Sequence, residues 1–300
     1  VSVRILVTGG AGQLASALAR LNPRDVALAG RPGFDFDRPE SIAAAVHALR
    51  PALVINAAAW TAVDAAEAEA EAAGRANHTG PGLLAEACRA HGARLIHIST
   101  DYVFDGLKGA PYLETDPTCP TGVYGASKLA GEQAVLAALP GAVILRTSWV
   151  YARAGKNFVL TMLNAAKRAP RLRVVADQKG CPTNADDLAI ATLAVADQLL
   201  AAPDGTRLGG VYHAAGSGET TWHGFAQAIF EEASRHGWPS PAIDAIRTED
   251  WPTPARRPAD SRLDCSKLQA VFGQRLPPWQ PSLRGAVAAI CRAALVAAPG

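Results

Sequence analysis

Residues 5–15 read ILVTGGAGQLA, and the reading of this stretch decides the fold. A short apolar run ending in Thr8 leads directly into Gly9, Gly10 and Gly12, and from there into an alanine-rich stretch with helical character. Glycine permits a tight turn at the end of a strand, and a second glycine lets a pyrophosphate approach the backbone at a helix N-terminus. Ala15 occupies the third position, where only a small residue allows close helix–strand packing. Glycines also simply make turns, so the pattern gains its meaning from standing at the first strand of a βαβ chain.

The sequence beyond it supplies that chain. Short apolar runs at Val3–Thr8, Val26–Ala29, Leu53–Asn56, Leu95–Ser99 and Val143–Arg146 read as parallel strands buried on both faces. Helical stretches at Gln13–Leu21, Pro39–Leu49, Ala65–Arg75, Pro81–His91 and Tyr124–Leu139 separate or follow them. Such alternation predicts an α/β protein with a Rossmann-type, doubly wound parallel sheet. After about residue 150 proline, glycine and tryptophan become more frequent and the alternation loses regularity, although Asn184–Leu200 still reads as a sheet-covering helix and Gly210–Ala214 as a buried strand. Two units are therefore expected. Residues 1–150 and about 184–215 form a dinucleotide-binding domain, and about 151–183 and 216–300 form a smaller, discontinuous substrate domain.

The chain has 300 residues, 49% of them hydrophobic and 19% charged, which describes a globular protein. A formal charge of +2 without a basic run argues against a nucleic-acid partner. Every apolar run is interrupted by Arg, Asp, Pro or Gly, so no membrane association is expected. The five cysteines form no CxxC pair and Val1 leads straight towards a strand, so reduced thiols and a cytoplasmic location are expected.

The second strand bears on cofactor choice. An acid at its end would bind the ribose of NAD, and an arginine would suit the 2′-phosphate of NADP. Here Arg31 follows the strand and no acid appears before Asp35, which favours NADPH over NADH. Asp35 and Phe36 stand where an adenine edge could rest, although Phe36 also suits the core. Open α/β sheets bind ligands at the carboxyl ends of their strands, and three such ends are rich in polar or small residues. They are Asn56-Ala57-Ala58-Ala59-Trp60-Thr61, Ser99-Thr100-Asp101-Tyr102 and Arg146-Thr147-Ser148-Trp149. Ala57, Ala58 and Ala59 leave room for a nicotinamide ribose.

In PTGVYGASKLAGE, Tyr124 and Lys128 are four residues apart and share one helix face. Ketone reduction needs a hydride at carbon and a proton at oxygen. A phenol with a pKa near 10 is a usable acid that needs electrostatic tuning. The Lys128 ammonium is expected to lower that pKa and to hold the nicotinamide ribose, and Thr100 to hydrogen-bond the substrate oxygen.

With GGAGQLA, NAAAWTAVDAAE, STDYVFDG, YGASKLAGE, RTSWVYA, DQKGCPT and RRPADSRLD in place, the chain resembles the extended short-chain dehydrogenase/reductases. Within them it resembles most closely the dTDP-4-dehydrorhamnose reductase family, over essentially its whole length. The resemblance implies NADPH-dependent reduction of the C4 ketone of a dTDP-linked 4-keto-6-deoxy sugar. It gives Tyr124 the role of proton donor, Lys128 that of its partner and ribose ligand, and places Thr100, Asp101 and Tyr102 beside the substrate. Gly9, Gly12, Gln13 and Leu14 match the pyrophosphate loop, Trp149 a tryptophan that contacts the sugar, and Arg257 a position that meets the nucleotide-sugar. Trp60 stands where the family commonly has tyrosine. Ser16 stands where some members carry a glutamate linked to a metal-bridged dimer, so no metal is expected, and a homodimer remains compatible with the reading.

Two rivals share the fold. A dehydratase would carry Thr-Asp-Glu after the fourth strand, where this chain has Tyr102 in the third place. An epimerase, or a reductase for another 4-keto-6-deoxy sugar, is separated only by the family motifs. A cofactor-binding regulatory subunit is a third alternative, opposed by the intact Thr100, Tyr124 and Lys128. His213 and Cys181 read as structural, one of Asp186 and Asp187 as a helix cap, and AEAEAEAAGR as a solvated face.

Overall fold

Strand residues alternate between two apolar layers, and this fixes the architecture. In the computed structural model, which describes residues 4–22, 25–203 and 205–297, β1 is Ile5–Thr8, β2 Val26–Ala29, β3 Leu53–Asn56, β4 Arg94–Thr100, β5 Val143–Thr147 and β6 Gly210–His213. Val3, the expected start of the first strand, lies outside the described residues, as do both extreme ends of the expected domains. Ile5, Val7, Leu53, Ile55, Ile96, Val143 and Leu145 face a core closed by helices Gln13–Leu21 and Ala185–Ala201. Leu6, Val54, Leu95 and Ile144 face the opposite core, closed by Pro39–Leu49, Gly80–His91 and Val123–Ala138. Both faces are covered, as a parallel sheet of near-continuous apolar strands requires.

The six strands run parallel in the order β6-β5-β4-β3-β1-β2. This is the doubly wound Rossmann arrangement, and its topological switch lies between β1 and β3, where Thr8 pairs with Asn56. A further apolar core gathers Tyr151, Val159, Leu163, Phe225, Phe230, Trp279, Leu283 and Val287. A parallel strand pair, Arg171–Val175 with Ala242–Ile246, borders it.

Observed boundaries differ from the expected ones by about a residue, with one exception. The expected single helix Ala65–Arg75 is two short helices, Val63–Ala68 and Ala70–Gly74, with an interruption at Glu69. The second then runs through a π-helical turn, Arg75–Thr79, into Gly80–His91. The cause is Pro81, which has no N–H to offer the carbonyl four residues back at Asn77. A widened turn accommodates the proline, and the freed Asn77 carbonyl lies against helix Val123–Ala138 where Gly131 leaves room. A Cβ on Gly131 would stand 1.9 Å from that oxygen. Gly131→Ala gains up to about 1 kcal/mol of helix propensity but must force the two helices apart. A net loss of roughly 1–3 kcal/mol is expected, measurable by denaturant unfolding.

Candidate active site

The helix Val123–Ala138 opens at Gly122, whose extended backbone (φ −148°) provides no side-chain cap. The Glu67 carboxylate fills that role by accepting the Val123 N–H at 2.9 Å, so the stretch read as merely solvated in fact anchors this helix. Gly125 lets the helix approach closely, since a Cβ there would be 2.2 Å from the Tyr102 carbonyl. The rings of Tyr124 and Tyr102 meet edge to face at 5.4 Å. One turn on, the buried Lys128 ammonium donates to the Ile98 carbonyl of β4 at 2.6 Å.

β4 ends at Thr100, paired in register with Thr147 of β5, and a single 3-10 turn, Asp101–Val103, follows. The Thr100 hydroxyl donates to the Asp101 carboxylate at 3.0 Å and is close enough to the Tyr124 phenol to lower its pKa. Thr100, Asp101, Tyr102, Tyr124 and Lys128 are thus brought together from two neighbouring elements.

Burial dominates the electrostatics. It pushes the Tyr124 phenol up to about 12, with Thr100 lowering it and Asp101 raising it further. The expected lowering by Lys128 is not what this geometry produces, because the ammonium is turned towards a β4 carbonyl. Burial pulls Lys128 down to about 8, and the nearby Glu132 carboxylate opposes that fall. Asp101 is pushed up to about 6 by burial, partly offset by the Ser261 and Thr100 hydroxyls. Buried His97, whose Nδ1 accepts from the Asn56 side chain at 2.9 Å, is held well below its ordinary range by burial and then by Lys128.

Beside this group lies a backbone cradle. Gly9 has φ +101°, and a Cβ on it would lie 3.0 Å from the backbone of Ala57 and Ala58. The helix Gln13–Leu21 starts from Gly12 with no side-chain cap and no acid in its first turn, leaving its N–H groups to an anion. The Gln13 side-chain oxygen there is buried with no hydrogen-bond partner among the described residues, and Leu14 anchors the helix in the core. These features fit the pyrophosphate of a dinucleotide, and the small residues Ala57, Ala58 and Ala59 continue the open floor past the switch point. Arg31 stands at the end of β2, joined to Asp35 at 3.0 Å and to Asp37 at 2.8 Å. Phe36 packs edge to face on Phe34 and over Gly80, the packing alternative noted for it.

Two expected ligand contacts are engaged within the protein. The Trp149 indole stacks on Trp222 at 3.5 Å, over Gly180, and its backbone has φ +48°. The Arg257 guanidinium holds Asp64 through contacts of 2.8 and 3.1 Å. It also lines a cavity of about 460 Å³ with Asp105, Asp177, Trp251 and Arg256. Burial and then Asp101 push the Tyr102 phenol up, and Arg257 is near enough to oppose that rise in part, which links the cavity to the Tyr102–Tyr124 pair.

Sequence reasoning missed several supports. Asn77 accepts the Trp60 N–H at 2.8 Å, donates to the Trp60 carbonyl and meets the Ser127 hydroxyl at 3.0 Å. Glu132 receives Arg146 through contacts of 2.7 and 2.9 Å and the Ser99 hydroxyl at 2.5 Å, all of it buried. A usable signal was present in Glu132, an acid one turn beyond Lys128 on a helix otherwise packed inward. The helix Ala185–Ala201 is capped by the Asn184 side chain, not by either aspartate. Asp186 pairs with Arg20 and Arg153, and Asp187 accepts from Ser282. His213 and Cys181 are buried and structural, the His213 ring nitrogen meeting the Tyr112 and Asp264 carbonyls at 3.1 Å.

The chain matches the family model described as RmlD substrate binding domain over residues 3–291. It is 46% identical over 290 residues to a dTDP-4-dehydrorhamnose reductase from Sinorhizobium fredii, a match that covers 96% of this chain and 98% of the relative. A solved dTDP-4-dehydrorhamnose reductase from Clostridium acetobutylicum superposes with a TM-score of 0.89 at 34% identity, covering 96% of this chain and 99% of that one. Another, from Bacillus anthracis in complex with NADP, gives a TM-score of 0.86 at 34% identity, covering 95% and 98%. No described helix is long and apolar enough to cross a membrane.

Proposed function

Since the chain belongs to the RmlD substrate binding domain family, the family of dTDP-4-dehydrorhamnose reductases, we propose that it reduces the C4 ketone of dTDP-4-dehydro-L-rhamnose (dTDP-6-deoxy-L-lyxo-4-hexulose) to dTDP-L-rhamnose with NADPH. This would be the final step of dTDP-rhamnose synthesis. The observation that carries the proposal is the convergence of Thr100, Tyr124 and Lys128 beside the β1/β3 crevice.

Bound nicotinamide supplies the hydride that reaches C4. Gly9, Gly12, Gln13 and Leu14 cradle the pyrophosphate, Arg31, Asp35 and Phe36 border the adenosine, and Ala57–Ala59 leave space for the nicotinamide half. Thr100 orients the ketone oxygen, and Tyr124 gives up its phenolic proton to that oxygen as the C–O double bond becomes single. A phenol held at about 12 keeps its proton until negative charge develops on the substrate oxygen. Lys128, one helical turn away and held by the Ile98 carbonyl, would offset the charge left on Tyr124 and hold the nicotinamide ribose. Asp101 and Tyr102 shape the sugar pocket, and Trp149 closes it.

Arg257, at the mouth of its cavity, receives the nucleotide half, with guanidinium geometry suited to a diphosphate. Residues 1–150 and about 184–215 are assigned to the dinucleotide, and about 151–183 and 216–300 to the nucleotide sugar. The reaction is placed in the cytoplasm, where reduced nicotinamide is regenerated.

The test supplies the keto-sugar in situ from dTDP-glucose with a 4,6-dehydratase and a 3,5-epimerase and follows NADPH oxidation. Oxidation that depends on the epimerase and yields dTDP-rhamnose is expected. Oxidation without the epimerase would assign a different 4-keto sugar. Tight NADPH binding with no turnover would overturn the catalytic reading.

A further inference from the structure

At the carboxyl end of β2, one carboxylate holds two arginines from different parts of the chain. Asp37 Oδ2 lies 2.8 Å from Arg31 Nη2, and Asp37 Oδ1 lies 2.9 Å from Arg75 Nε. Arg31 follows β2, whereas Arg75 opens the π-helical turn that leads into Gly80–His91. The two guanidinium groups therefore converge on Asp37, and Arg31 keeps a second carboxylate, Asp35, at 3.0 Å through its Nε. All three side chains are open to solvent, with relative exposures of 71% for Arg31, 46% for Asp37 and 49% for Arg75. Exposed ion pairs of this kind contribute little stability, so a stronger anion can displace the carboxylate cheaply.

Position identifies the anion. The end of the second strand in a dinucleotide fold is where the adenosine ribose carries its 2′ substituent. Here Gly30 packs directly on the glycine loop, since a Cβ on it would come within 2.9 Å of Gly10 Cα, so Arg31 starts from beside the pyrophosphate cradle. We propose that Arg31 and Arg75 together grip the 2′-phosphate of NADPH, and that Asp37 is the counter-ion the phosphate displaces. The inference rests on the dinucleotide reading above and adds the residues that set the choice between NADPH and NADH.

The competition has a definite sign. A 2′-phosphate offers three oxygens and more negative charge than a carboxylate, so it wins the two guanidinium groups by charge-assisted hydrogen bonding. Asp37 nevertheless weakens the preference, because on displacement it remains beside the phosphate as a like charge. With NADH bound, Asp37 stays paired and the ribose hydroxyl gains no guanidinium contact. Removing an arginine should therefore cost selectivity, and removing the aspartate charge should increase it.

The experiment is calorimetric titration of 2′,5′-ADP and of 5′-ADP into the full-length protein and two variants. The wild type is expected to prefer 2′,5′-ADP. Arg75→Gln should reduce that preference about tenfold, in line with the loss of one charge-assisted hydrogen bond. Its 5′-ADP affinity should stay unchanged, which also reports an intact fold. Asp37→Asn should raise the preference about threefold or more, and added salt should erode it. An unchanged preference in Arg75→Gln, or a weaker one in Asp37→Asn, overturns the proposal. Equal wild-type affinity for the two nucleotides overturns it while leaving the dinucleotide reading in place. Failure to bind either nucleotide overturns both.

Discussion

Tyr124→Phe is expected to lower kcat by about 10²–10⁴-fold, the range a positioned proton donor contributes, while leaving cofactor affinity and folding nearly intact. The substitution removes a single oxygen. Its ring keeps the edge-to-face contact with Tyr102, and the Thr100 hydroxyl keeps Asp101 as its acceptor. Nothing in the Gly9–Leu14 cradle touches the lost atom. The ketone would still bind and the hydride would still be in reach, but its oxygen would have to take a proton from water. Single-turnover NADPH oxidation measures the loss, and titration with 2′,5′-ADP checks the cofactor site. A rate equal to the wild type would remove Tyr124 from the reaction.

How far the site could be read from sequence depended on whether its parts were local. The glycine loop, the ends of β3 and β4 and the Tyr124/Lys128 spacing each lie within a dozen residues, and a doubly wound sheet collects strand ends at one edge. That is why Thr100 and Tyr124, 24 positions apart, could be paired on paper. The interrupted helix after β3 was not legible because Pro81 acts at a distance. It releases the Asn77 carbonyl, and Gly131 on another helix receives it. Glu67 at the start of the catalytic helix, Asp64 under Arg257 and Asp37 between two arginines are likewise tertiary pairings. In sequence they are only acids on exposed-looking stretches. The Lys128 direction was missed for the same reason. Helical spacing puts its side chain on the Tyr124 face, but only the neighbouring strand offers the Ile98 carbonyl that turns it inward.

The second large effect is expected from Glu132, which the sequence offered only as the last letter of YGASKLAGE. Glu132→Gln removes the charge that faces the buried Arg146 guanidinium and receives the Ser99 hydroxyl. Both ionic side chains are at most 4% exposed, so water cannot replace the lost carboxylate. Breaking one side of such a pair costs about 3–5 kcal/mol, which denaturant unfolding would show. A second consequence reaches the chemistry. The Glu132 carboxylate is what opposes the fall of Lys128, held at about 8. Without it the lysine pKa drops further, and the ammonium is lost at lower pH. The alkaline limb of kcat/KM should therefore move to lower pH in Glu132→Gln, since that limb reports groups of the free enzyme. A double variant, Glu132→Leu with Arg146→Met, separates the two effects. Replacing both partners with apolar side chains of similar size should recover most of the stability, yet the limb should stay displaced because Lys128 still lacks its carboxylate. Recovery of the wild-type limb along with stability would show that Glu132 acts on the reaction only through packing.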